Sequence, residues 1–253
     1  MQVVFLGTGG YHPNERRHTA GLLLPELGLL LDAGTGTFRL PAHLSSPHLA
    51  IALSHGHLDH ICGLTYLLVP QCKGELQELT ILGDPDVLEA AQRHLFAEAV
   101  FPVPLEARWR AIDDEEVWPL MCGATLRHCR LPSHPGGTRG YRIDWPDAAT
   151  DGTKSLAYVT DTCVDGSYTD FVRGVDLLIH ECYFPDAMRE WAEKTGHSYT
   201  SQVGELARDA GVKQLIVTHI DPQRSDDDPI GLAELRKLFA ASSIAEDGLV
   251  IEL

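Results

Sequence analysis

The 253-residue chain has no long apolar run. Its longest candidates, such as Leu64 to Pro70, fall far short of the roughly 18 residues that a membrane-spanning helix needs. Its start, Met1-Gln2-Val3-Val4-Phe5-Leu6-Gly7, carries no basic segment, so no export signal is expected and a cytoplasmic location is the expectation. The cysteines (Cys62, Cys72, Cys122, Cys129, Cys163 and Cys182) include no Cys-x-x-Cys pair. That spacing excludes a cysteine-ligated zinc finger, and it predicts reduced, partly buried thiols rather than a disulfide scaffold. Internal repeats, low-complexity tracts and long linkers are missing as well, which predicts a single domain over residues 1–253. Positive charge is scarce: 20 Lys and Arg stand against 36 Asp and Glu, a formal net charge of -16. Such a surface repels phosphate backbones, so extended nucleic acid and membranes are not expected partners, whereas a small-molecule substrate is.

What the chain does have is an ordinary globular composition, 44% hydrophobic and 22% charged, and 13 histidines. Short β-branched or Leu-rich runs bounded by turn formers predict strands at Val3–Leu6, Gly28–Asp32, Leu49–Ser54, Leu79–Leu82, Ala124–Leu131, Tyr141–Asp144, Ser155–Thr160, Val175–His180, Gln214–Thr218 and Leu249–Glu252. Helices are expected at Ile61–Leu68, Asp86–Ala99, Pro185–Lys194, Ser201–Ala210 and Pro229–Ala240, with Gly211 as the stop of the fourth. The acids of Asp226-Asp227-Asp228-Pro229 suit a helix start, and Asp113-Asp114-Glu115-Glu116 reads as a solvated loop. The pattern is that of a mixed α/β protein with helices on sheet faces. Several predicted strands run into a residue able to bind metal: His55, Asp161 and His219.

Ser54-His55-Gly56-His57-Leu58-Asp59-His60 is the most informative segment. In extended backbone, residues two apart point the same way, so His55 and His57 can grip one ion. Asp59 and His60 follow at once and can turn toward a neighbouring position. So dense a run of imidazoles and a carboxylate after a buried-type strand is hard to explain by packing. These ligands suit borderline divalent ions, Zn²⁺ most simply, with Mn²⁺ or Fe tolerated.

His-x-His-x-Asp-His resembles the signature of the metallo-β-lactamase superfamily. The resemblance extends along the chain through His134 in Ser133-His134-Pro135-Gly136-Gly137, Asp161 in Thr160-Asp161-Thr162 and His219 in Thr218-His219-Ile220-Asp221. It implies an αββα four-layer sandwich with two divalent metal ions. By that resemblance His55, His57 and His134 would hold the first ion, and Asp59, His60 and His219 the second, with Asp161 bridging both. A bridged pair lowers the pKa of bound water toward neutrality, and Asp59 would also orient the attacking oxygen. Asp32, at another strand end, reads as structural support.

The antibiotic-hydrolysing lactamases resemble the chain less, since many carry Cys where it has Asp161. The second half is similar instead to the ribonuclease Z and phosphodiesterase branch. Leu178-Ile179-His180-Glu181-Cys182 resembles that branch's His-Glu-Ala-Thr segment, and Gly196-His197-Ser198-Tyr199-Thr200 its His-Ser-Thr segment. His197 would then contact the scissile phosphate and protonate the leaving oxygen, with Glu181 fixing its ring, while His180 is structural. The competing role of the second segment is helix capping by Ser198 or Thr200. Only a short stretch separates His134 from Asp161, where ribonuclease Z carries a long insertion for grasping tRNA. With the acidic charge, this points to a small or cyclic phosphodiester. A hydrolase of lactones, thioesters or sulfate esters is the alternative, and a metal-dependent binding or sensory domain without turnover a further one. Relatives are commonly homodimers, which makes a homodimer the expectation by analogy.

Overall fold

The computed structural model describes residues 1–113, 116–147, 149–224 and 226–253. Asp114 and Glu115 of the expected acidic loop lie outside the described residues. The chain divides into two compact units, residues 1–116 with 247–253, and residues 117–246. Among the described residues each contains one seven-stranded mixed sheet.

The first unit runs through β1 (Gln2–Gly7), β2 (Gly21–Leu24), β3 (Leu29–Leu31), β4 (His48–Ala52), β5 (Glu78–Gly83) and β6 (Arg108–Ala111). These strands neighbour one another in sequence order, and the C-terminal strand Val250–Glu252 pairs antiparallel with β1. Pairing is antiparallel through β1, β2 and β3 and parallel from β3 to β6. Every residue of β2 and β3 is buried. Their unbroken Leu runs are the sequence form of strands covered on both faces. Val4, Leu6, Leu23, Leu30, Ile51, Leu53, Leu79 and Ile81 form the centre of this unit's core.

Strands β7 (Trp118–Pro119), β8 (Thr125–Leu131), β9 (Thr138–Pro146), β10 (Thr153–Val159), β11 (Leu177–Glu181), β12 (Gln214–Thr218) and β13 (Ser242–Ile244) build the second unit, again in sequence order. It too changes character midway, antiparallel from β7 to β10 and parallel from β10 to β13. The helix Thr200–Asp209 lays Val203, Leu206 and Ala207 into this unit's core, as its apolar period predicts.

Several expected helices differ in detail. The stretch expected as Asp86–Ala99 is α-helical only over Pro85–Ala90 and widens into a π turn at Ala91–Leu95. The hydrogen bond from Phe96 N to Ala91 O closes that turn, and Leu95 and Phe96 then pack against the core. The expected Ile61–Leu68 helix is a short α turn at Leu58–Ile61, a 3₁₀ turn and a second α turn at Leu68–Cys72. The last helix begins at Leu232 rather than Pro229, because Gly231 takes a left-handed φ of 81°. Asp228 does serve the helix start, accepting from Gly231 N at 2.8 Å and Leu232 N at 2.6 Å.

Two carboxylates tie distant segments within the units. Asp247 accepts from Thr8 N (2.9 Å), Thr8 Oγ1 (2.8 Å) and His18 N (2.7 Å), and pairs with Arg39 at 3.2 Å. Asp247→Ala strips an acceptor from all of these groups. We expect a loss of about 2–3 kcal/mol, read as a lowered urea midpoint. Asp176 accepts from Ser155 N and Oγ and from Lys213 Nζ. Burial works to raise its pKa, but Lys213 and the Ser155 donors outweigh that and leave it below the usual carboxylate value. The native state therefore takes up this proton less readily than the unfolded chain. The stabilisation is present above the unfolded pKa, near 3.8, and is lost as pH falls further. Accordingly, Asp176→Asn should be less stable than the parent at pH 7, with the gap closing in denaturation series carried below about pH 4.

Candidate functional site

Strand ends carry the chemistry in both units. In the first, β4 stops at Ala52 and the chain runs through Leu53 and Ser54 into His55. Asp32 lies just past β3 with a left-handed φ of 58° and is fully buried. Its carboxylate accepts from Ser54 N at 2.7 Å, Ser54 Oγ at 2.8 Å and His60 Nδ1 at 2.8 Å. With its proton committed to Asp32, Ser54 Oγ accepts from His55 Nδ1 at 3.0 Å. The rings of His55 and His57 lie 4.5 Å apart, and those of His55 and His60 lie 4.2 Å apart. Asp59 Oδ2 sits 3.3 Å from His60 Nε2 and accepts from Tyr11 N at 2.8 Å. His55, His57, Asp59 and His60 are thus gathered in one place, with Asp32 in the supporting role expected of it.

In the second unit, Asp161 follows β10 and His219 follows β12, with left-handed φ values of 46° and 56°. His219 Nε2 lies 3.2 Å from Asp161 Oδ1, and His134 Nε2 lies 3.7 Å from Asp161 Oδ2. His134 Nδ1 donates to Gly196 O at 3.3 Å. Glu181, the last residue of β11, is fully buried. It accepts from Thr162 N at 2.6 Å, His197 Nδ1 at 3.0 Å and Ser198 N at 3.2 Å. Ligand atoms of Asp161, His197 and His219 fall within 4.8 Å of one another.

The capping alternative for the His197 segment does not hold. The helix Thr200–Asp209 has no side-chain cap from its flanking residue, and Ser201 N donates to Asp186 at 2.8 Å. Ser198 Oγ donates instead to Thr162 O, and Thr200 Oγ1 to the carbonyls of Phe184 and Ile230. His180 is structural: burial lowers its pKa, its Nδ1 donates to Glu181 O, and Tyr168 OH donates to its Nε2 at 2.8 Å. Arg139 is buried and its Nη1 donates to His128.

The donor set fits divalent ions. His55, His60 and His134 each commit Nδ1 to an oxygen acceptor, which leaves Nε2 as the lone-pair nitrogen, the arrangement by which proteins orient imidazole ligands. Residue types alone did not single out Ser54, Thr162 or Tyr183. Tyr183 stacks on His197 at 4.6 Å and 19°, and its only sequence signal is its place just after Glu181-Cys182.

Gly196 holds this geometry in a way no other residue can. Its φ is 78°, and a Cβ there would lie 2.6 Å from Ser133 O and 2.8 Å from His134 Cα. Gly196→Ala should therefore cost about 1–3 kcal/mol of stability and push His134 aside. Thermal denaturation and metal content after dialysis would register both effects.

Residues 28–220 match the family of the beta-lactamase superfamily domain. Over its whole length the chain is 27% identical to ribonuclease Z of Methanosarcina acetivorans, covering 98% of that protein, and 29% identical to ribonuclease BN of Escherichia coli O81, covering 100%. The first of these alignments runs over 303 positions against the 253 residues present, so the relative carries about fifty residues that this chain lacks. The metallo-beta-lactamase fold protein YhfI from Bacillus subtilis superposes with a TM-score of 0.80 at 25% identity, each chain covered to 99%. The metallo-β-lactamase fold that the resemblance implies is therefore the fold of the molecule, and no helix among the described residues is long and apolar enough to cross a membrane. The chain belongs to the beta-lactamase superfamily, in its ribonuclease Z-like branch, and is a metal-dependent hydrolase.

Proposed function

We propose that this hydrolase cleaves a small or cyclic phosphodiester, and that the observation carrying this reading is the Glu181–His197 pair. A buried carboxylate 3.0 Å from Nδ1 fixes the tautomer and plane of His197, so Nε2 is the position from which a proton can be delivered. Thioester cleavage expels a thiolate, which needs less help in leaving. An alkoxide leaving a phosphodiester needs a proton, which makes a held imidazole most useful there.

His55, His57 and His134 are proposed to hold one divalent ion and Asp59, His60 and His219 a second, with Asp161 shared, most simply as Zn²⁺. When bound, such ions acidify water and neutralise charge on phosphoryl oxygens. Asp59 orients the attacking water. The oxygen of that water bonds to phosphorus and releases a proton as the bond from phosphorus to the leaving oxygen breaks and Nε2 of His197 gives up its own proton, so a linear diester yields an alcohol and a phosphomonoester and a cyclic one a single hydroxyl-bearing phosphomonoester. Glu181 stabilises the ring while it carries charge, and Tyr183 keeps its plane.

Support for a small substrate rather than RNA comes from the roughly fifty residues missing relative to the ribonuclease Z relative and from the net charge of -16. A polyanion gains little from such a surface, whereas a single phosphate makes only local demands.

The reading is tested with metal-defined protein on cyclic and linear phosphodiesters, lactones and thioesters. His197→Ala should cut phosphodiester turnover by about 10²–10⁴-fold and leave metal content intact. Equal turnover by the variant would remove the proton-delivery role. Asp59→Asn should abolish hydrolysis, and dialysis against a chelator should do the same until Zn²⁺ or Mn²⁺ is restored. Faster cleavage of lactones or thioesters, insensitive to His197, would favour that alternative.

A further inference from the structure

Tyr11 combines properties that packing does not explain. It is 69% exposed, yet its backbone takes a φ of 58°, a region that a bulky residue enters only under constraint. Glycines occupy positions 9 and 10, so the chain places glycine beside this turn and a large ring in the turn itself. The loop around it is held from several sides. Gly9 N donates to His18 O, Asn14 Oδ1 accepts from Arg16 N and Arg17 N, and Asp247 fixes both Thr8 and His18. Most telling is the bond from Tyr11 N to Asp59 Oδ2 at 2.8 Å. Through it, the backbone of Tyr11 is held against the carboxylate proposed to orient the attacking water. The His12 ring leans against the Tyr11 ring with centroids 5.1 Å apart.

Strain retained at an exposed aromatic beside a reacting group marks a functional position. We infer that Tyr11 is a specificity residue, a stacking platform for an aromatic ring borne by the substrate, so that the preferred phosphodiester carries a nucleobase or another flat ring. This rests on the phosphodiesterase reading above. A rigid loop with an exposed ring loses little freedom on binding, and every base presents a π face to it. Stacking of this kind is sequence-tolerant and worth on the order of tenfold or more in affinity per base.

The backbone N–H that reaches Asp59 survives any substitution at Tyr11 other than proline, which separates the ring's role from that of the loop. Tyr11→Asn tolerates the left-handed turn and removes the ring; Tyr11→Phe keeps the ring. Steady-state kinetics on adenosine 2′,3′-cyclic phosphate and on glycerol 1,2-cyclic phosphate present the same reacting group with and without a base. For Tyr11→Asn we expect KM on the adenosine substrate to rise about tenfold with kcat nearly unchanged, and both constants on the glycerol substrate to stay at the parent's values. Tyr11→Phe should match the parent on both, and metal content should be equal in all three proteins. A rise below threefold for Tyr11→Asn, or an equal rise on both substrates, overturns the platform while the phosphodiesterase reading stands. If the parent protein cleaves neither substrate nor any other phosphodiester, that reading falls and the platform with it.

Discussion

A buried carboxylate facing an imidazole N–H is the interaction on which both halves of this molecule depend. Asp32 in one unit and Glu181 in the other are fully buried, a situation that demands hydrogen-bond donors on the acid. Asp32 takes the backbone N–H and hydroxyl of Ser54, Glu181 takes the backbone N–H groups of Thr162 and Ser198, and each then takes a histidine Nδ1. The ring that results has one possible tautomer and one orientation. Position is what the fold supplies to His60 and His197.

The sheets explain why these groups occur where they do. Parallel strands β3, β4, β10, β11 and β12 all end at or lead into residues proposed to hold or orient a metal ion or the proton donor, and open α/β sheets concentrate binding beyond the carboxyl ends of such strands. Antiparallel β8 contributes too, since His134 lies in its connection to β9, and most of that strand's own residues are half-buried or exposed. Cys182, beside Glu181, is fully buried, and burial pushes its thiol pKa well up, so it is a packing residue.

Much of this was legible from residue order. The run Ser54 to His60 announces its chemistry because packing has no use for so many imidazoles together, and Asp161 and His219 stand out by following apolar strands. The acid-entry role of Asp228 was legible too, although not the start at Leu232, which a left-handed Gly231 decides. Strand β6 was missed because Arg108 and Arg110 interrupt any apolar alternation, as befits a strand at the sheet's margin. Strand β2 was missed because Pro25 and the 3₁₀ turn after it obscure its end. The length of the helix from Pro85 was overread because a π turn preserves apolar spacing while changing the hydrogen bonds. The roles of Ser54, Thr162 and Tyr183 depend on neighbours brought together by folding, and no local pattern encodes them.

Asp32, Asp161 and His219 share one backbone habit, a left-handed turn immediately after a strand. Glycine would sit there more comfortably, but glycine brings no carboxylate or imidazole. Asp32 is kept by the donors it satisfies, but at Asp161 and His219 selection for heat tolerance and selection for turnover compete at the same torsions. A lineage drifting toward sturdier backbones would gain at these places only by surrendering its chemistry, so hardening of this protein has to come from elsewhere in the chain.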